Sequence, residues 1–187
     1  MNVEEILVTK LADLQLHITT AESCTGGMVA SRIVNISGAS GVFEQGYVTY
    51  ANEAKTSMLG VREDVLAAYT EFSAQTAAAM AKGAAKRAGA DMAISVTGIA
   101  GPDGGTEEKP VGLVYIGCYI APGALATMVQ YKKGVYHIEV PRKGKCVVKK
   151  YQFSGDRTQV REQAAQSALQ LALEGVNYIT GTTMQTL

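Results

Sequence analysis

Apolar residues recur with a helical period in several parts of the chain. Near the amino end, Ile6, Leu7, Leu11 and Leu14 fall on one stripe, which predicts an amphipathic helix over Val3–Leu16. The same kind of pattern predicts three further helices, over Met28–Ile36, Ser73–Gly89 and Asp156–Glu174. The third of these four helices begins at a serine suited to N-capping and ends at a glycine.

Short runs rich in β-branched and aromatic residues predict strands between these helices. The runs are His17–Thr20, Tyr47–Tyr50, Met92–Val96, Val111–Ile120, Ala126–Tyr131 (expected to pair with the run before it) and Val147–Phe153. No repeat or linker interrupts the order of strands and helices. We therefore predict an α/β fold for residues 1–187: a single three-layer domain with a mixed β-sheet flanked by helices.

Composition and charge exclude some classes of protein. With 187 residues, 47% of them hydrophobic, the chain is not typical of a disordered protein. Its formal net charge of zero removes the simplest argument for a nucleic-acid-binding or membrane-surface protein. However, the segment Lys132–Lys150 contains seven basic residues and one acidic residue. Alternation over Val135–Val140 and a turn signal at Pro141–Lys145 predict a basic hairpin at about 132–150, acting as a flap, a subunit contact, a phosphate-steering patch or only a solvated surface.

Cysteines and targeting signals indicate a soluble protein. Cys24, Cys118 and Cys146 are widely separated and do not form a zinc-binding pattern with the two histidines, so we expect no metal site and no disulfide framework. The first residues do not resemble a signal peptide, and no apolar run is long enough to span a membrane. We expect a cytoplasmic location.

Ser23 is the first candidate for chemistry. It lies in the segment Ala21–Gly27, between a predicted strand and a predicted helix, where backbone N–H groups favour negative charge. Gly26 and Gly27 would let a ligand approach the backbone closely. Alternatively, Ser23 or Thr25 only caps the helix. Cys24 is an alternative nucleophile, although packing in the core is its more ordinary role.

A serine nucleophile needs a base, and neither His17 nor His137 has the context of a Ser-His-Asp triad. A lysine with a lowered pKa can serve instead. Lys55 follows the second strand within a few residues, and Tyr50 at the end of that strand could relay a proton. The alternative is that Lys55 is solvated, as most lysines after a turn are.

A second glycine-rich segment, Gly98–Gly105, directly follows the strand Met92–Val96. Successive N–H groups in such a loop can bind an anion such as phosphate, although the segment is neither a Walker A loop nor a GxGxxG motif. A tight surface turn is the alternative. Arg157, at the start of the last helix, could hold an anion or pair with Asp156 or Glu162.

Taken together, these motifs closely resemble the CinA C-terminal domain family over roughly Glu4–Leu173. The segments that carry the resemblance are Ala21–Gly27, Gly46–Lys55, Leu59–Val61, Ser95–Gly112 and Gly155–Arg157. Stand-alone members of that family are nicotinamide-nucleotide amidases, and this chain has no room for the extra N-terminal domain of longer members. The basic segment Lys132–Lys150 is longer than the usual connection in the family.

The resemblance implies hydrolysis of the carboxamide of nicotinamide mononucleotide to nicotinate mononucleotide and ammonia, without a metal or other cofactor. It implies Ser23 as nucleophile and Tyr50 and Lys55 as proton-transfer partners, with N–H groups around Cys24–Gly27 stabilising the oxyanion. The substrate-binding residues are predicted as follows: Cys24, Thr25, Gly26, Gly27, Thr97, Gly98, Ala100, Gly101 and Arg157.

Two other functions remain open at this stage. A nucleotide-binding module of the same fold would bind without hydrolysis, and a nucleic-acid-binding protein would act through the basic hairpin. The intact set of Ser23, Tyr50 and Lys55 favours the amidase. We expect a small pyridine nucleotide as partner, no nucleic acid, no membrane, and a homo-oligomer, a dimer or larger.

Overall fold

This computed structural model describes residues 1–125, 127–132, 135–139 and 143–181, with backbone alone for 127–132 and 135–139. Both helices and strands occur along these residues. The α-helices of these residues are α1 Val3–Asp13, α2 Met28–Val34, α3 Asn52–Leu59, α4 Glu63–Tyr69, α5 Ala74–Ala88 and α6 Arg157–Ile179. The strands are β1 Ile18–Glu22, β2 Gly46–Val48, β3 Met92–Gly98, β4 Leu113–Ile120, β5 Thr127–Lys132, β6 Val135–Glu139 and β7 Lys145–Gln152.

Five of the strands form a mixed sheet in the order β2-β1-β3-β4-β7. The strand β1 lies between β2 and β3 and is parallel to both, with Glu22 opposite Val48 on β2 and Val96 on β3. The pairs β3–β4 and β4–β7 are antiparallel. The predicted fold class is therefore confirmed for the described residues.

Helices cover both faces of this sheet. On one face, α1, α2 and α6 share a core with the sheet, in which Leu11, Ile33, Ile94 and Leu169 are buried. On the other face, α5 packs against the sheet, and α3 and α4 pack against α5. The contact between α5 and α3 depends on Gly83, because a Cβ atom there would lie 2.0 Å from the carbonyl oxygen of Leu59.

Hydrophobic periodicity predicts neither α3 nor α4. Both are short, and the buried residues of α3 are a lysine, Lys55, and Leu59, so the helix has no apolar stripe. None of the residues of α4 is buried. These two helices form because the rest of the fold provides a surface for them, and not because of a strong local pattern.

The strand pairing near the carboxyl end differs from the prediction. The run around β5 was expected to pair with β4, but β5 pairs with β6 in a separate two-stranded ribbon, and β7 pairs with β4 along its whole length. The basic segment at about 132–150 is thus divided between this ribbon and β7, while residues 133, 134 and 140–142 lie outside the described residues. Lysines along β7 suit the edge of a sheet, because charged side chains discourage pairing with another chain.

The topology brings three chain segments to one place. The strands β1, β2 and β3 are parallel, so their carboxyl ends meet at the same edge of the sheet. The chain leaves β1 through α2 on one face, and it leaves β2 through α3, α4 and α5 on the other. Such a change of direction opens a crevice at the carboxyl end of β1, and open α/β sheets bind ligands in crevices of this kind.

Candidate active site

The turn after β1 places Ser23 at this crevice. The Ser23 amide donates a hydrogen bond to Val96 O on β3 at 2.9 Å, so the residue is still anchored to the sheet. Gly26 and Gly27 then adopt positive φ angles of 59° and 97°, which lets the chain reverse into α2. The Ser23 side chain is 5% exposed and lines a cavity.

Two charged side chains hold this turn. The Glu22 carboxylate, 1% exposed, accepts hydrogen bonds from the backbone N–H groups of Gly27, Val29 and Ala30 at 2.9, 3.1 and 2.9 Å. It therefore caps the amino end of α2. From the other side, the Arg161 guanidinium on α6 donates to the carbonyl oxygens of Cys24 and Thr25, both at 2.9 Å.

Lys55 on α3 is completely buried and meets Ser23 directly. Its Nζ lies 3.3 Å from Ser23 Oγ, 3.0 Å from Thr49 O and 3.2 Å from Tyr50 O. Burial away from water disfavours the charged amine and lowers the pKa of Lys55, while the carboxylate of Glu71 acts in the opposite direction. The interpretation of Lys55 as a solvated surface residue is wrong.

These three contacts can be made by the ammonium, through three N–H groups, and also by the neutral amine. A neutral lysine has two N–H donors and one lone pair, whereas the two backbone carbonyls can only accept. If the N–H groups of Lys55 point at Thr49 O and Tyr50 O, its lone pair faces the hydroxyl of Ser23. The arrangement can therefore take a proton from Ser23.

Tyr50 meets Lys55 through its backbone, and its hydroxyl contacts a different residue. The side chain is 62% exposed, and its Oη accepts a hydrogen bond from Arg157 Nη2 at 3.1 Å. Arg157 Nη1 also donates to Gly101 O at 2.7 Å, so the guanidinium joins the end of β2 to the loop after β3. Because Lys55 and Ser23 are already in contact, proton transfer between them needs no relay through the Tyr50 hydroxyl.

A cavity of about 370 Å³ lies above these groups. Its lining residues come from the turn after β1, the β2–α3 connection, the segment before α5, the loop after β3 and the start of α6; they are Ser23, Cys24, Tyr50, Ala51, Asn52, Glu53, Glu71, Phe72, Gly98, Ile99, Ala100, Gly101, Asp103, Gly104 and Arg157. Among the predicted site residues, Ser23, Cys24, Tyr50, Gly98, Ala100, Gly101 and Arg157 thus come together at one cavity.

Four of the predicted binding residues do not line the cavity. The N–H of Gly26 donates to Ser23 O at 3.1 Å, and that of Gly27 donates to Glu22, so neither is free for an oxyanion. Thr25 is fully buried. Thr97 is buried as well, and its hydroxyl donates to Glu71 O at 2.7 Å, which fixes the cavity wall from behind.

Sequence reasoning missed several residues of the site. Glu22 precedes the turn, and an acidic residue before a helix start is a recognisable capping signal. No signal was available for Glu71 and Phe72 or for Arg161, because their positions depend on how α5 and α6 pack against the sheet.

Cys24 lines the cavity but is poorly suited to act as a nucleophile. Burial raises the pKa of its thiol to about 11, so very little thiolate is present near neutral pH. Within the described residues, no cluster of three or more His, Cys, Asp and Glu side chains could hold a metal ion. The same residues contain no helix long and apolar enough to cross a membrane.

Comparisons with known proteins point to one family. A family model described as the CinA C-terminal domain matches residues 1–134. A CinA-like protein of Kosmotoga olearia is 48% identical over 168 residues, covering 90% of this chain and 35% of the relative. A putative competence-damage inducible protein of Clostridium beijerinckii is 46% identical over 171 residues, covering 91% of this chain and 36% of the relative. The chain thus spans about a third of the length of these curated relatives.

Solved structures agree with this match. The competence/damage inducible protein CihA of Agrobacterium tumefaciens has a TM-score of 0.79 and 36% identity, covering 94% of this chain and 93% of that one. A CinA superfamily protein of Klebsiella pneumoniae has a TM-score of 0.79 and 28% identity, with 94% and 96% covered.

Proposed function

Because the chain belongs to the CinA C-terminal domain family, as its motifs predicted, we propose that it hydrolyses the carboxamide of nicotinamide mononucleotide to nicotinate mononucleotide and ammonia. The observation that carries the proposal is the contact between the buried Lys55 amine and the Ser23 hydroxyl at the wall of the cavity. A serine hydroxyl in contact with an amine of lowered pKa is one of the arrangements that activate a serine for acyl transfer from an amide.

In the first half of the reaction, Ser23 Oγ attacks the amide carbon while its proton moves to Lys55 Nζ. A bond forms between Oγ and carbon, and the carbonyl electrons move to oxygen. The carbonyls of Thr49 and Tyr50 then hold the ammonium that Lys55 has become. Gly26 and Gly27 donate their N–H groups elsewhere, so we assign the N–H of Cys24, which lines the cavity, to the oxyanion in their place.

In the second half, Lys55 gives its proton to the leaving nitrogen, and the carbon–nitrogen bond breaks to release ammonia. An ester between Ser23 and the nicotinoyl group remains. A water molecule then attacks this ester, losing one proton to Lys55, which returns it to Ser23 Oγ as the acid product leaves. The scheme uses no metal or cofactor, and Lys55 passes on each proton that it accepts, so that it ends in its starting form.

The remaining lining residues are assigned to binding. Arg157 is the cationic side chain among the described lining residues, so we assign it to the phosphate of the substrate, with the loop Gly98–Gly104 beside it. Tyr50 contributes its carbonyl to Lys55 and its hydroxyl to the Arg157 contact. A cavity of about 370 Å³ is within the range of small-molecule sites, roughly 300–1,000 Å³.

Ammonia release from nicotinamide mononucleotide tests the proposal. We expect Ser23→Ala to lower kcat by about a thousandfold or more, and Lys55→Met to lower it by about 10²–10⁴-fold, the usual worth of a general base. Two exposed helical residues supply matched controls, Ser31→Ala and Lys82→Met, which should keep wild-type rates.

Thermal unfolding of each variant separates loss of chemistry from loss of fold. Full activity in a folded Ser23→Ala protein would refute the serine mechanism. Binding of the nucleotide by calorimetry without any ammonia release from wild type would instead favour a nucleotide-binding module.

A further inference from the structure

The charged side chains that line the cavity are mostly acidic. Among the described lining residues, three are carboxylates, Glu53, Glu71 and Asp103, and one is a guanidinium, Arg157. Lys55 lies behind Ser23 and does not line the cavity, and burial lowers the pKa of its amine. The walls therefore carry more negative than positive charge, which is unexpected for a site that takes only an anion.

None of these three carboxylates forms an ion pair in the described part of the chain, although Glu71 and Glu53 lie near enough to Lys55 to oppose the lowering of its pKa. Acidic groups elsewhere do form ion pairs, as in Arg32–Glu4 and Lys149–Glu174. Arg157, which also lines the cavity, donates to Gly101 O and Tyr50 Oη instead. The carboxylate oxygens are thus available to a ligand.

The acidic and basic groups are held by different parts of the cavity wall. Glu71 and Glu53 lie near Lys55, where their negative charge opposes the lowering of its pKa. The backbone of Glu71 is fixed there by the bond from Thr97 Oγ1 at the end of β3. Arg157, at the start of α6, is held by Gly101 O in the loop after β3 and by Tyr50 Oη. A ligand with a cationic part at the reacting end and an anionic part near Arg157 would match this pattern.

We propose that Glu71, assisted by Glu53, binds a positive charge on the ring that carries the scissile carboxamide, and so makes the site selective for cationic N-substituted pyridinium amides over neutral aromatic amides. This inference rests on the proposed function. When the amide carbon of the substrate lies at Ser23, its ring lies beside Glu71 and its phosphate extends towards Arg157. The carboxylate recognises the charge of the ring and takes no part in proton transfer.

The test compares two substrates that differ in one ring atom. One is nicotinamide mononucleotide, and the other is its neutral isostere in which carbon replaces the ring nitrogen, with the same carboxamide, ribose and phosphate. We expect Glu71→Gln to lower kcat/KM for the cationic substrate about tenfold, largely through KM. For the neutral isostere the same variant should stay within about twofold of wild type when measured above the midpoint of the Lys55 titration, where the loss of the Glu71 charge no longer changes the protonation of Lys55 and no charge pair with the ring is lost.

Controls separate this role from a structural one. Glu63→Gln removes an equal charge from an exposed position on α4 and should change neither substrate. Glu53→Gln should show the selectivity loss of Glu71→Gln in weaker form, and thermal unfolding checks that both variants are folded. Dividing each kcat/KM by the wild-type value for the same substrate cancels the different intrinsic reactivity of the two substrates, and comparing the two ratios isolates the effect of the ring charge.

The outcomes are distinct. Equal losses on both substrates, or no loss on either, in a folded Glu71→Gln protein would overturn this inference while leaving the amidase activity of wild type intact. No ammonia release by wild type from either substrate would refute the proposed function, and this inference with it.

Discussion

Replacing Glu22 by glutamine should destabilise the protein strongly, although the change only replaces one carboxylate oxygen by an NH₂ group. The carboxylate of Glu22 is buried and accepts three backbone hydrogen bonds from Gly27, Val29 and Ala30. Glutamine offers one acceptor oxygen, and its NH₂ group would face at least one of these N–H groups. One donor at the start of α2 is thereby left without an acceptor.

The size of the effect follows from these contacts. Hydrogen bonds to a charged group contribute about 1.5–3 kcal/mol each, and neutral ones about 0.5–1.5 kcal/mol. Weakening three bonds by roughly 1 kcal/mol each, together with the interaction of the charge with the helix dipole, reduces the free energy of unfolding by about 3–4 kcal/mol. For a chain of this length, that corresponds to a fall in Tm of about 6–16 °C.

Calorimetry and circular dichroism would measure this fall, with Glu44→Gln, an exposed carboxylate in the segment before β2, as the matched control. We also expect kcat to fall in Glu22→Gln at temperatures where the protein stays folded, because the same turn positions Ser23 and the N–H groups after it. A Tm within about 2 °C of wild type would refute the argument that the carboxylate holds this turn.

Three further predictions concern the pH profile, the thiols and the packing of α3. The kcat/KM should rise with pH as Lys55 loses its proton, with a midpoint below the ordinary lysine value of 10.5 because burial lowers its pKa; a midpoint at 10.5 or above would contradict this assignment. Iodoacetamide at pH 8 should modify the exposed Cys146 faster than Cys24, whose pKa is raised to about 11, as peptide mass spectrometry would reveal, and activity should persist while Cys146 reacts. Gly83→Ala should lower both Tm and kcat, because its Cβ would collide with the carbonyl of Leu59 and displace α3; an unchanged Tm would show that α3 is not seated through this glycine.

The meeting of Ser23 and Lys55 could be foreseen in part from the sequence. Both residues follow predicted strands, and the structure shows these strands to be parallel, so that their carboxyl ends share one edge of the sheet. The burial of Lys55 could not be foreseen, because it depends on α3 lying against α5 at Gly83, a contact between residues distant in the chain. A local pattern cannot distinguish a buried lysine from a solvated one when the covering surface is supplied by another helix.

The turn at Gly26 and Gly27 illustrates the opposite error. Glycines before a helix are compatible with an anion-binding loop and equally with a turn whose N–H groups are already bonded. The Glu22 carboxylate, which lies next to Ser23 in the chain, decides between them by taking the Gly27 N–H, while Ser23 O takes that of Gly26. Strand partners at the carboxyl end were mispredicted for a related reason, since the residues of β5 suit pairing with β4 or with β6 and only the assembled sheet selects β6.

The last helix is needed to complete the candidate site during protein synthesis. Ser23 and Lys55 are synthesised before Arg157 and Arg161, which belong to α6 and reach the cavity and the Ser23 turn. Residues of α6 also complete the core on one face of the sheet. A nascent chain therefore carries its proposed nucleophile and base before the site is assembled, and premature termination ahead of α6 would yield a fragment that lacks both arginines and this part of the core.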